Sequence, residues 1–560
     1  MRTHYPRTPH VPWSPGATSD DVRVGDLAGL SGREVVVTEK LDGENTTLYG
    51  DGLHARSLDS AHHPSRGWVK ALQGRIGPRI PAGRRICGEN VYARHSIPYD
   101  ELEGYFYGFS VWDGDRCLPW DETVAVLREL GVPAVPVLWR GALDARGGKA
   151  LRALAKGLDT GRVEGYVVRP AEGFGAAEFG RSVAKWVRAG HVTTGTHWMH
   201  ERVVPNGLGP RAALWQVRSG GPVDASALAA AALPDGPAAA PDADAAVAMG
   251  DRSGPGGDAR LDGVLAGLLH RERRATLMPR LARTLGLPAG RRIADLVGLH
   301  RSVLRPYPDA ERRTGLIRMS YAADLSTLHA LAATVAGTDE EREQAEWSAL
   351  HADGLTEPAG LREAFAGLPD ADARDRCLAE AREAWALGRI TSAEEAVAAT
   401  WRWRDGDFPR LFVMVGPSGS GKSTLARALP GVGVTVSLDD LREARGSRTD
   451  QSANEEVVRE GHERLDRALA AGGTTLWDAT SLTPRQRSSV HAVAARRNAL
   501  VTHVVTVVEA DELVRRNGRR EHPVPPKVLT EQIRRYVPPC PGEAHRTWYA
   551  GPDGTVGERV

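Results

Sequence analysis

The stretch Gly416-Pro417-Ser418-Gly419-Ser420-Gly421-Lys422-Ser423 constrains the fold of this chain more than any other feature. It fits the pattern G-x-x-x-x-G-K-[ST], follows the apolar run Leu411-Phe412-Val413-Met414-Val415 and precedes the helical pattern Thr424-Leu425-Ala426-Arg427-Ala428-Leu429. Strand, glycine-rich loop and helix in that order open an α/β fold that cradles phosphate. Gly416, Gly419 and Gly421 let successive N–H groups turn toward phosphate oxygens. The following helix, with Thr424 in its first turn, adds partial positive charge. Lys422 can reach the β- and γ-phosphates of ATP, and Ser423 offers a hydroxyl to Mg²⁺, with Mn²⁺ as an alternative ion.

Carboxylates and cations follow in an order that suits phosphoryl transfer. The run Val432 to Ser437 reads as a strand ending in Asp439-Asp440-Leu441-Arg442, where Asp439 can accept a proton from an attacking hydroxyl and Arg442 can hold an acidic acceptor. A helix cap made by Asp439 or Asp440 is the plainer reading and is compatible with the first. Thr474-Thr475-Leu476-Trp477 leads into Asp478, which places a further carboxylate on the Mg²⁺ side of the loop. From Leu513 through Arg535 there are seven basic and two acidic residues, and Arg516 and Arg520 in this run read as a lid that neutralises the transferring phosphoryl group.

Length and composition bound the rest. At roughly 100–200 residues per domain, the 560 residues imply three or four domains. Lys+Arg of 72 against Asp+Glu of 71 leaves a net charge of +1, so any nucleic-acid surface must be local. Cys87, Cys117, Cys377 and Cys540 have neither metal nor redox spacing, which suits a reducing, cytoplasmic setting. The opening residues have no apolar core of a signal peptide, and no apolar run reaches a membrane span. Residues 1–216 mix strand-like runs with turn signals and read as an α+β domain on antiparallel sheet. Residues 217–260, rich in Ala, Gly, Pro and Asp, read as a flexible linker. Residues 261–400 carry apolar residues at helical spacing and read as an all-α connector, and 401–560 form the α/β domain.

Only seven of the 72 basic residues are lysine. Each survivor is therefore a better candidate for chemistry closed to arginine, which is effectively always protonated. Lys40 stands in Thr38-Glu39-Lys40-Leu41-Asp42-Gly43-Glu44 at the end of a β-run. It is followed in order by Arg56-Ser57, Gly88-Glu89-Asn90-Val91-Tyr92, Tyr107-Gly108-Phe109, Glu164-Gly165-Tyr166-Val167-Val168-Arg169 and Val183-Ala184-Lys185-Trp186-Val187-Arg188.

That ordered series resembles the covalent nucleotidyltransferase superfamily and, within it, the ATP-dependent RNA ligases. The resemblance implies that the Lys40 amine attacks the ATP α-phosphorus and keeps AMP as a phosphoramidate, which requires neighbouring cations and Mg²⁺ to lower its pKa. It also implies that Glu39, Asp42 and Gly43 flank the nucleotide, Glu89 holds the ribose hydroxyls and Phe109 stacks on adenine. Arg56 would steady ribose and phosphate, Glu164 would act through the metal and Lys185 would meet the α-phosphate. The family's last motif often reads Lys-x-Lys; here Trp186 follows Lys185 and Arg188 is the next cation.

The phosphate loop, the Asp-Asp-x-Arg and the Arg-rich run resemble the P-loop polynucleotide kinases, which phosphorylate nucleic-acid 5′-OH ends. Together the resemblances imply an RNA end-healing and sealing enzyme. Its partner would be RNA with 5′-OH and 3′-OH ends, a broken tRNA or a nicked duplex, with no membrane. A ligase fused to a small-molecule or nucleoside kinase, or a nucleotide-sensing RNA-binding protein without activity, are the alternatives. The helical stretch, with Leu268-Leu269-His270-Arg271, Leu299-His300 and Asp324-Leu325, faintly resembles an HD-type phosphohydrolase bundle. Arg271 stands where Asp is wanted, and a guanidinium cannot ligate metal, so the stretch reads as a connector or degenerate bundle. His191-Val192-Thr193 is a single His-x-Thr, not the pair that a phosphoesterase needs.

Overall fold

The computed structural model describes residues 2–58, 62–144, 148–159, 161–190, 202–254, 256–445, 454–520 and 523–560. His191 to Thr193 lie outside these. The chain divides into two compact units, Met1–Pro234 with Ser253–Val264, and Asp235–Arg252 with Leu265–Val560. The antiparallel α+β part, the helical middle and the α/β C-terminal part expected from the sequence are all present.

The first unit holds two antiparallel sheets. One has the order β10-β8-β1-β7, from β1 (Glu34–Lys40), β7 (Val137–Ala142), β8 (Gly165–Pro170) and β10 (Ala184–Val187). The other has the order β3-β2-β4-β5-β6-β9, from β2 (Glu44–Tyr49), β3 (Gly52–Ala55), β4 (Arg84–Asn90), β5 (Phe106–Asp113), β6 (Arg116–Cys117) and β9 (Phe174–Gly175). The run Val35-Val36-Val37 explains why β1 is central. β-Branched residues suit a pleated strand, and alternate side chains point to opposite faces. Val35 and Val37 join a core with Leu151, Tyr166 and Val168 on one side, while Val36 joins Phe109, Trp112 and Phe174 on the other. A helix spans Trp120–Leu130 and stops where Gly131 takes φ 76°.

The segment expected to be a flexible linker is instead largely helical. Helices span Ala225–Ala232 and Ala243–Arg252, and Leu228, Ala229, Ala232, Ala246 and Met249 are buried. Alanine has the highest helix propensity, and its small side chain lets helices pack closely. An Ala-rich composition was therefore a poor linker signal. The segment also lacks an end-to-end role as a spacer, since Asp258 in the following helix Gly257–Leu268 pairs with Arg218 at 3.0 Å and Arg128 at 2.7 Å.

In the second unit the sheet order is β12-β13-β11-β14-β15-β16. The strands are β11 (Arg410–Val415), β12 (Val432–Ser437), β13 (Thr474–Asp478), β14 (Leu500–Thr506), β15 (Arg546–Ala550) and β16 (Val556–Arg559). All neighbours are parallel except β15 and β16. The helical middle does not stand apart from this sheet as a separate connector. Buried Arg291 bonds Asp295 at 2.7 Å and Glu558 of β16 at 2.9 Å. Arg274 bonds the same Asp295 and the Pro539 carbonyl. Arg376 reaches the Asn498 carbonyl at 3.1 Å, and Arg546 of β15 reaches Asp372 at 2.6 Å. Removing one partner of such a buried network costs about 3–5 kcal/mol. Among the described residues no helix is long and apolar enough to cross a membrane.

Candidate nucleotide sites

A cavity of about 600 Å³ opens in the first unit and is lined from both sheets. It gathers Glu39, Lys40, Gly43, Arg56, Glu89, Phe109 and Lys185, seven of the positions singled out in the sequence. Lys40 is the last residue of β1, opposite Gly165 at the start of β8, and this register sets Glu164 beside it. Lys40 Nζ donates to Glu164 Oε2 at 2.5 Å. Asp42 does not line the cavity. Its Oδ2 accepts from the Ser96 and Ile97 amides at 2.7 and 3.0 Å, which pins the loop after Lys40. Gly43 is needed for close approach, because a Cβ there would stand 2.5 Å from the Asn90 carbonyl oxygen.

The electrostatics differ from the expectation that cations surround Lys40. Burial alone would lower its pKa, but the Glu164, Glu89 and Asp42 carboxylates outweigh it and hold the ammonium above the ordinary lysine range. Burial pushes Glu89 up to about 8 and Glu39 up to about 7. Lys185 is lowered by burial first and then by the nearby Lys40 charge. Phe109 serves two ends, lining the cavity and packing into the core with Trp112 and Phe179.

Sequence reasoning missed several residues of this cavity. Arg66 forks onto Glu44, with Nε to Oε2 at 2.7 Å. Thr38 Oγ1, Asn45 Oδ1 and Arg169 Nε are buried without a hydrogen-bond partner, and all three residues line the cavity. Buried polar atoms are nearly always paired, so these three stand out among the described residues of this wall. Asn45 and Arg169 lay inside or next to the quoted motifs; Arg66 had no local signal.

The second site lies beyond the C-terminal end of β11. A Cβ on Gly416, at φ +151°, would fall 2.1 Å from Thr506 Oγ1, and that hydroxyl donates to Ser420 Oγ at 2.6 Å. Gly419 and Gly421 also have positive φ, 83° and 91°. Lys422 opens the helix Lys422–Ala428 and donates to the Pro417 carbonyl at 2.8 Å. Burial, opposed by Asp478 and Asp439, pushes it down to about 8. Ser423 and Thr424 are exposed in the first turn. The Ser418 amide donates to Gln532 Oε1 at 2.8 Å, so a side chain from the helix Pro526–Arg535 occupies one loop N–H.

Asp478 ends β13, and burial first, then the Asp439 and Asp440 charges, raise its carboxyl. The helix over Leu438–Glu443 is capped by Ser437, whose hydroxyl accepts from the Asp440 amide at 3.2 Å, not by either aspartate. Asp439 is thereby left exposed and pairs with Arg442 at 2.6 Å. Arg516 lies against the loop, its Nη1 3.8 Å from where a Gly421 Cβ would stand. It is held by Glu512 at 2.5 Å and the Pro552 carbonyl at 2.8 Å. Arg520 is exposed, and its charge reaches Lys422. Of the histidines in the helical middle, His270 stacks on His300 with ring centres 6.2 Å apart. Among the described residues no three His, Cys, Asp or Glu side chains are grouped to hold a metal ion.

No curated protein matches the chain. Among solved structures, a chain of the Pnkp1/Rnl/Hen1 RNA repair complex is 23% identical over 23% of this chain and 44% of that one, with a TM-score of 0.21. A mutant Naegleria gruberi RNA ligase with ATP and Mn is 19% identical over 32% of this chain and 60% of that one, with a TM-score of 0.23. An unliganded sugar kinase from Janibacter sp. is 22% identical over 26% of this chain and 86% of that one, with a TM-score of 0.22. The match thus spans less than half of the first of these, and none of the three carries an argument at such TM-scores. Family models do match, that of RNA ligase over residues 33–187 and that of an AAA domain over residues 411–539. The first match contains Lys40 and the second contains Lys422, so the chain joins an RNA ligase domain in its N-terminal part to a P-loop domain of the AAA kind in its C-terminal part.

Proposed function

We propose that this chain is an RNA end-healing and sealing enzyme, an ATP-dependent RNA 5′-hydroxyl kinase joined to an ATP-dependent RNA ligase. The observation that carries the ligase half is the cavity around Lys40, with a lysine at its wall and three buried polar atoms without partners. In this reading the Lys40 ammonium first gives a proton to Glu164 Oε2, 2.5 Å away. The amine then forms a bond to the α-phosphorus as the bond to the bridging oxygen breaks, and pyrophosphate leaves with that electron pair. AMP passes from Lys40 to the RNA 5′-phosphate, and the 3′-OH displaces AMP to seal the strand. Burial keeps Glu89 protonated near neutral pH, so it can donate to a ribose oxygen.

In the kinase half, the acceptor hydroxyl gives its proton to Asp439, forms a bond to the γ-phosphorus and releases ADP. Asp478 at the end of β13 and the exposed Ser423 hydroxyl in the first turn after the loop would hold a divalent cation. A bound Mg²⁺ supplies neutralisation of the phosphate charge. Arg442 leaves Asp439 to hold the acceptor's neighbouring phosphate, and Arg516 and Arg520 face the transferring group. Phosphorylation makes the 5′-phosphate that the ligase needs, and one chain keeps the two steps at high effective concentration.

The test is to incubate the full chain with 5′-OH RNA and ATP–Mg²⁺ and resolve the products. Phosphorylated, adenylylated and ligated RNA are expected. Rapid phosphorylation of free nucleosides or small metabolites, with none of 5′-OH RNA, would replace the kinase half by a small-molecule kinase.

A further inference from the structure

We infer that Tyr5, outside the family match, is a positioning residue of the Lys40 nucleotide pocket. It would act by holding the Phe109 ring at the angle that a purine base requires; this rests on the ligase reading above. The matched domain begins at residue 33. The cavity wall does not, because Tyr5, Pro6 and Thr8 line it with Lys40 and Phe109.

The segment is fixed by backbone pairing next to a site residue. Lys185 N–H donates to the Pro9 carbonyl at 2.8 Å, and Val11 N–H donates to the Lys185 carbonyl at 2.8 Å. Residues 9 to 11 therefore run along the β10 edge, and the chain before them lines the cavity. Tyr5 meets Phe109 edge-on, with ring centres 5.2 Å apart at 67°, and meets Phe179 edge-on at 5.4 Å and 88°. Edge-to-face aromatic pairs are directional, so a Phe109 ring braced this way keeps one face set. On its far side the Phe109 carbonyl accepts from buried Arg169. The Tyr5 ring packs against the buried cluster that contains Phe109 and Phe179. A base sliding onto Phe109 would then meet a wall that is already ordered, and little ordering entropy would be lost on binding.

The test measures formation of the protein–AMP adduct by the full chain over a range of α-labelled ATP concentrations. Wild-type protein without any adduct would defeat the ligase reading itself, whatever Tyr5 does. Given a wild-type adduct, Tyr5→Ala should raise the ATP concentration for half-maximal rate about tenfold and leave the saturated rate within about threefold, the signature of lost positioning of the bound base. Tyr5→Phe should restore both values, because the ring edge and not the hydroxyl braces Phe109. If Tyr5→Ala lowers the melting temperature, Tyr5→Leu, which keeps apolar bulk but no ring edge, replaces it and should raise the half-maximal concentration about threefold. Wild-type ATP dependence in a folded Tyr5→Ala or Tyr5→Leu protein would overturn the inference. So would a loss in Tyr5→Phe as large as that in Tyr5→Ala.

Discussion

Lys40 and Lys422 are the same residue type at the two candidate nucleotide sites, and their surroundings push them in opposite directions. Lys40 ends a central strand of an antiparallel sheet, and the Glu164 and Glu89 carboxylates from other segments, with Asp42 of the loop that follows, hold its proton. Lys422 opens a helix after a parallel strand and hangs on the Pro417 carbonyl, and burial pushes it down to about 8. In the proposed reactions Lys40 must become neutral and Lys422 must be charged. Lys40 is not in that state by itself, and Lys422, at about 8, is charged at pH 7 but close to losing its proton. The difference teaches that each site is set to respond to its nucleotide. Incoming phosphates favour a charged Lys422. A Lys40 nucleophile needs Glu164 to take its proton, or a cation to draw the carboxylates away.

The bluntest way to break the comparison is to exchange the two losses. Lys40→Ala should abolish the acid-labile protein–AMP adduct and leave 5′-phosphorylation intact, while Lys422→Ala should do the reverse. Lys40→Arg should be as inactive as Lys40→Ala, since a guanidinium does not deprotonate. Labelling with α- and γ-labelled ATP in parallel reads both, and an adduct that persists in Lys40→Ala would move the nucleophile elsewhere.

A smaller effect separates proton transfer from nucleotide binding at the second site. Asp439 is exposed and pairs with Arg442 of the same helix, so Asp439→Asn should leave ATP binding nearly unchanged. Phosphoryl transfer should slow by about 10²–10⁴-fold, the usual range for loss of a general base. Single-turnover rates against ATP affinity check this, and a pure affinity defect would make Asp439 a structural partner of Arg442.

The pH responses sharpen the contrast further. Lys40 is held above the ordinary lysine range, so the neutral amine grows about tenfold for each pH unit below that pKa, and the adduct rate should climb through pH 7–9. Lys422 of the free protein loses its proton as pH rises through about 8, so KM for ATP in the kinase assay should rise about eightfold between pH 7.5 and 9. Parallel pH profiles that rise together would mean that the two lysines do not differ as described.

The smallest effect concerns the loop amide. Gln532 Oε1 occupies Ser418 N–H, and a net hydrogen bond is worth about 0.5–1.5 kcal/mol. Gln532→Ala should therefore lower KM for ATP in the kinase assay about threefold, with no change in adduct formation at Lys40. A higher KM would show that Gln532 helps bind nucleotide rather than competing with it.

Much of the fold was written locally. Three consecutive valines made β1, Gly131 stopped a helix, and the strand, loop and helix around Lys422 followed from residues close in sequence. The cofactor loop was readable for the same reason, because its backbone turn needs glycines at fixed offsets. The segment from 217 to 260 failed because composition was read where helix propensity applied; Ala225 to Ala232 form a buried helix.

The sequence by itself determined the two kinds of domain, the two candidate lysines and the strands that carry them, since each depends on spacing within a short window. Only the tertiary structure decided their electrostatics. Glu164 meets Lys40 across 124 residues, Arg291 meets Glu558 across 267, and Tyr5 meets Phe109 through a pairing at Pro9 and Lys185. A pKa depends on which charges come within a few ångströms and on how much water is excluded, and both are set by packing between distant segments. The same packing joined the helical middle to the α/β sheet through buried Arg274 and Arg291, a partnership that no window of sequence contains.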